Sequence, residues 1–159
     1  MSLLFACAQP VAMPSVRTTD PVPMIENAAD RPAVGPATAV LAAYERARSL
    51  LAADTIDGLA IVARDIEAAA KSAGYADIAQ TAAHLAAQTS LEVARTKFGD
   101  LSRHLVALLA KDPSLARGQH VFECPMVTGY AKWIQPTEDL QNPYMGKRML
   151  ACGGESTWQ

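Results

Sequence analysis

The stretch Ser90–Lys111, SLEVARTKFGDLSRHLVALLAK, decides the fold class. Its Leu91, Ala94, Phe98, Leu101, Leu105 and Leu108 recur at spacings of three and four, so they share one stripe of an α-helix, as a and d positions do. Ser90 stands where an N-cap belongs, and Pro113, which has no backbone N–H, ends the run. Upstream, Ile78, Ala82 and Leu85 make a shorter stripe. Before that, Ile56, Leu59, Ala63, Ile66 and Ala70 keep the same period between Asp54, an expected N-cap with Asp57 in the first turn, and Gly74, an expected stop. Val40, Tyr44, Ala47 and Leu51 supply the first stripe. Four amphipathic stripes on short connections predict an all-α fold, an up-and-down antiparallel four-helix bundle over 37–112. A loop-rich, sulfur-containing C-terminal cap over 113–159 would pack on it as part of the same domain.

Composition agrees with that reading. A chain of 159 residues suits one domain plus a tail. Half of it is hydrophobic, with alanine the commonest apolar residue, and only 6% is aromatic, which favours thin, closely packed helices over a β-sandwich. Fourteen basic against sixteen acidic side chains, with no Lys/Arg cluster, remove the electrostatic term that dominates nucleic-acid affinity. No window supplies the roughly 18 consecutive apolar residues of a membrane span.

Residues 1–36 have a different character. Pro10, Pro14, Pro21, Pro23, Pro32 and Pro36 interrupt any helix, and there is no hydrophobic period, so the segment reads as a proline-rich tether. Its start, Leu4-Phe5-Ala6-Cys7, resembles a bacterial lipobox without the charged and long apolar regions of a full signal. Cys7 is then the candidate lipidation residue, and the tether would hold a globular domain clear of a membrane surface. The alternative is an ordinary terminus carrying a spare thiol.

Within the cap, Val121-Phe122 and Trp133-Ile134 predict a short hairpin. Asn142 as N-cap, Pro143 at the first position and Gly153 past the end predict a short helix over 143–152, with Met145, Met149 and Cys152 on one face. Cys124, Met126, Met149 and Cys152 are the chemically distinctive residues. Thiolate and thioether are soft donors that favour Cu(I) or Ag(I). Zn(II) is the second choice, because a structural zinc site takes four N, S or O ligands and only His120 and Glu123 stand near in sequence to complete the set. Met145 and His120 are accessory candidates. Two alternatives stay open: a Cys124–Cys152 disulfide, worth ~3–4 kcal/mol by loop entropy, and a pair of buried free thiols. A bridge or a shared metal requires the two cysteines to lie close together, with Cα atoms within about 7 Å. His84 and His104 fall on polar stripes and read as solvated groups. Without a Walker loop, GxGxxG, HExxH, GxSxG or CxxC motif, the sequence points to a binding protein rather than an enzyme.

The run Arg95–Gly153 is similar to a bacterial domain family of unknown function, found in stand-alone envelope proteins and fused to the periplasmic adaptor subunits of copper/silver efflux pumps. The resemblance rests on Arg95, Phe98, Leu101 and Ser102 in the last bundle helix, on the Cys124-Pro125-Met126 triplet, and on Trp133, Asn142-Pro143-Tyr144, Gly146, Met149 and Cys152-Gly153. Met145 stands where an aromatic residue is expected. The resemblance implies a periplasmic or other envelope location linked to heavy-metal handling. It also implies a metal efflux adaptor or another envelope protein as partner, with Cys124, Met126, Met149 and Cys152 as binding residues.

Overall fold

Helix α1 (Pro36–Ala52) opens on a proline, whose fixed φ suits the first helical position and whose missing N–H would be unpaired there anyway. The structure, a computed structural model, describes residues 35–159, so Cys7 and most of the proline-rich arm lie outside the described residues. Pro36, read from sequence as the last residue of the tether, is instead the first turn of α1.

Three further long helices follow: α2 (Leu59–Ala73), α3 (Ala76–Ala86) and α4 (Leu91–Lys111). Gly74 stops α2 in the left-handed conformation at φ 77°, which costs glycine nothing. Consecutive helices pack side by side, and the stripes Val40/Tyr44/Ala47/Leu51, Leu59/Ala63/Ile66/Ala70 and Ile78/Ala82/Leu85 are buried against one another. A single turn, α5 (Pro113–Ala116), is capped by Asp112, whose carboxylate accepts the N–H groups of Ser114 and Leu115.

The expected all-α four-helix bundle is corrected by what covers α4. That helix buries Ala94, Phe98, Leu101 and Leu105, but also Gly99, Ser102, Val106 and Leu109, a face too wide for one helix seam. Besides the helices, α4 packs on a three-stranded antiparallel sheet of order β2-β1-β3, built from β1 (His120–Glu123), β2 (Lys132–Gln135) and β3 (Gly154–Glu155), through β2. Val121 pairs with Ile134 and Phe122 with Trp133, while Glu123 faces Gly154 on the other edge. The fold is mixed α/β. A column of aromatic rings joins its parts: Tyr44 stacks on Phe98 at 4.8 Å, Phe98 meets Tyr144 edge-on at 6.0 Å, Tyr144 meets Trp133 at 6.0 Å, and Trp133 stacks on Phe122 at 5.7 Å. Five of the nine aromatic residues thus lie in one line from α1 to β1.

Two local expectations are also corrected. Asp54 does not cap α2, which begins five residues later behind Gly58. Residues 143–152 do not form one α-helix: a turn capped by Asn142 leads into a 3-10 helix, Gly146–Met149. Gly146 sits at φ 60°, outside the right-handed helical region, and that breaks the expected run. The three sulfur residues Met145, Met149 and Cys152 therefore do not line one face of a helix.

Candidate metal and thiol site

Cys124 follows β1 directly and is fully buried. Its N–H bonds Ala131 O and its own carbonyl accepts the Val127 N–H at 3.3 Å, so Cys124-Pro125-Met126-Val127 is a tight turn with proline at the position its fixed φ favours. Cys152 lies two residues ahead of β3, whose Gly154 pairs with Glu123. Gly153 lets it approach: a Cβ there would stand 2.8 Å from Glu123 O and 3.0 Å from the Trp133 ring, in a backbone at φ 136°. The result is a Cys124 Sγ to Cys152 Sγ separation of 3.6 Å with both thiols free.

A hydrogen-bonded clasp holds Cys152 in place. The Asn142 side-chain amide donates to Cys152 O at 2.6 Å, its Oδ1 accepts the Tyr144 and Met145 N–H groups, and its backbone N–H bonds Leu150 O. Asn142 is wholly buried and satisfies its polar atoms within the loop 142–152. Tyr144 anchors the loop to the sheet through its hydroxyl, which donates to Lys132 O at 2.7 Å. The loop is fastened to the helices at its other side. Arg95 donates to Pro143 O at 2.8 Å, to Leu51 O at 2.9 Å and to Asp54 Oδ1 at 2.6 Å, while Asp54 Oδ2 accepts the Lys147 N–H at 3.0 Å. Asp54 is the one described non-glycine residue at positive φ, and a Cβ on Gly146 would overlap its carboxylate and the Arg95 guanidinium. The Arg95 hydrogen bond, then the Lys147 N–H, holds the Asp54 carboxyl below its ordinary range.

The hydrogen bond to Cys124, then desolvation, pushes the Cys152 thiol above its ordinary range, which keeps the proton on Cys152 at neutral pH. Two thiols this close can lose their protons to a soft cation or be oxidised to a disulfide. The other proposed ligands are less gathered. Met126, at the tip of the Cys124 turn, is 62% exposed, and Met149 begins a second turn closed by the Cys152 N–H to Met149 O bond. Met126 and Met145 line an open groove of about 560 Å³ beside α4, with Arg103 stacked over the Tyr130 ring at 5.1 Å. His120 stacks on Phe122 and lines a separate groove with Trp158, and Glu123 accepts from Ser156 Oγ. Among the described residues no three His, Cys, Asp or Glu side chains converge as a metal site.

No family model, curated protein or solved structure matches the chain. The tertiary structure nevertheless gives a physical role to residues that the sequence marked only as a pattern. Arg95, Phe98, Ser102, Asn142, Tyr144, Gly146 and Gly153 all serve the seating of the Cys152 loop or the aromatic column behind it. Asp54 carries no sequence signal for this network, because an aspartate ahead of an apolar stripe has the same local pattern as a helix cap.

Proposed function

We propose that this is a cell-envelope binding protein that takes up a soft monovalent cation, Cu(I) or Ag(I), at Cys124 and Cys152, and not an enzyme. The observation that carries the reading is the 3.6 Å approach of two free thiols, one of them fully buried. A soft cation bound there replaces thiol protons, and burial protects it from water and competing hard ligands. Met126 and Met149, each on a turn next to one cysteine, are the supporting thioether donors. Zn(II) is less well served because, among the described residues, no third His, Cys, Asp or Glu side chain converges with the pair as a metal site. The similarity of Arg95–Gly153 to the efflux-associated family supports the envelope location and a metal efflux adaptor or other envelope protein as the recipient. Among the described residues no helix is long and apolar enough to cross a membrane; the proposed attachment to a bilayer is a lipid on Cys7.

The same separation favours one second reading, a structural or interaction module stapled by a Cys124–Cys152 disulfide, since the sulfurs need only a small approach to bond. Two measurements on a Cys7→Ser background divide the readings. Reduced protein should withhold Cu(I) from a chromophoric chelator, and the Cys124→Ser, Cys152→Ser double variant should lose that capacity. Met126→Leu or Met149→Leu should weaken binding while changing stability by less than about 1.5 kcal/mol. Unchanged Cu(I) affinity in the double serine variant overturns metal binding. Absence of any reactive thiol in unfolded protein prepared without reductant puts the staple in its place.

A further inference from the structure

We propose that the Asp54–Arg95 ion pair is a remote latch whose role is to position Cys152 against Cys124. Its importance for metal uptake rests on the binding reading above; the positioning itself does not. Asp54 occupies the α1–α2 turn and Arg95 the first half of α4, and neither residue is adjacent in sequence to a cysteine. Together they grip the Cys152 loop at two places, Pro143 O and Lys147 N, while a third bond ties Arg95 to the end of α1 at Leu51 O. Asp54 holds a left-handed backbone, φ 58°, that an unconstrained aspartate rarely adopts, and Gly146 is pressed so close that no Cβ fits. An ordinary surface pair such as Arg46–Asp65, with both side chains about half exposed, shows none of these features. From the latch, rigid connections run through Asn142 to Cys152 O. Loss of the latch frees the middle of the loop while leaving the helices and sheet in place, so the thiols lose their mutual alignment before the fold is lost.

The test is the equilibrium for closing the Cys124–Cys152 disulfide in a glutathione buffer, each closure consuming one glutathione disulfide and releasing two glutathione thiols. It is read by mass after alkylation on full-length Cys7→Ser protein. Asp54→Gly removes the carboxylate while tolerating the positive φ, and Asp54→Asn is a milder change of charge alone. Either one, or Arg95→Met, should lower closure about tenfold, and Asp54→Gly combined with Arg95→Met should be no worse than the stronger single change. Ile66→Val and Asp65→Asn serve as controls for lost stability and lost surface charge, and both should stay within about twofold of the parent. Closure within about twofold of the parent in the latch variants, or an equal loss in Ile66→Val, overturns the proposal. The measurement involves no metal, so a protein that fails to bind Cu(I) but shows this pattern keeps the latch and loses only the binding reading.

Discussion

The Tyr44 hydroxyl bonds Ser102 Oγ at 2.7 Å across α1 and α4, wholly inside the protein, and accepts the Ile134 N–H of β2 at 3.4 Å. Ser102 in turn donates to Phe98 O, one turn back on α4. One buried oxygen thus ties two helices to the sheet. Tyr44→Phe keeps the stacking on Phe98 but leaves the Ile134 N–H without a partner. It should cost about 1–2 kcal/mol, read as a lower urea midpoint with unchanged slope.

Alkaline pH should unfold the protein through its tyrosines. Burial pushes Tyr130 up to about 12, and Tyr44 and Tyr144 are driven well above the ordinary value by desolvation. The folded state therefore holds phenol protons that the unfolded chain releases near pH 10, so this stabilisation is complete below about 10 and is lost as pH rises beyond it. Urea midpoints at successive pH values above 9 should fall steeply. A flat profile between pH 9 and 12 would contradict the burial of these rings.

Gly146→Ala and Gly153→Ala should each destabilise the protein by more than about 1 kcal/mol, because alanine is strained at these φ values and its Cβ has no space. Gly118→Ala, at φ 74° with open space around it, isolates the backbone cost alone and should be the mildest of the three. Thermal melts of the three variants check the order.

Asn142→Ala removes three side-chain hydrogen bonds of a fully buried residue, including the one that secures Cys152 O. A loss of roughly 2–3 kcal/mol is expected. Cys152 should also alkylate faster, since its carbonyl is no longer held. Iodoacetamide labelling followed by mass analysis reads this directly, and an unchanged rate would show that the clasp does not govern the thiol.

In the parent protein, Cys152 should label slowly at pH 7 and faster as pH rises past the ordinary thiol range, because only the thiolate reacts and the neighbouring Cys124 thiol raises its pKa. Cys124, wholly buried, should label only on unfolding. A fast reaction of Cys152 at pH 7 would place a cation beside it that the structure does not contain.

Sequence periodicity by itself determined the helices. Spacings of three and four mark the buried faces of α1 to α4, and Gly74 and Pro113 end helices for local backbone reasons that need no partner. The paired apolar dipeptides at Val121 and Trp133 likewise mark adjacent strands. The tertiary structure alone decided that α4 is covered by a sheet, because Gly99, Ser102, Val106 and Leu109 form a second stripe whose partner lies elsewhere in the chain. It also decided the fate of Asp54, which as an isolated residue can cap a helix or pair with a cation equally well. Arg95 lies 41 positions away, and only folding brings its guanidinium to that carboxylate instead of leaving the backbone N–H groups as the nearest donors. The Cys124–Cys152 approach has the same origin: 28 positions of chain separate the two sulfurs, and their distance is fixed by strand register, a close-passing glycine and a buried asparagine acting together.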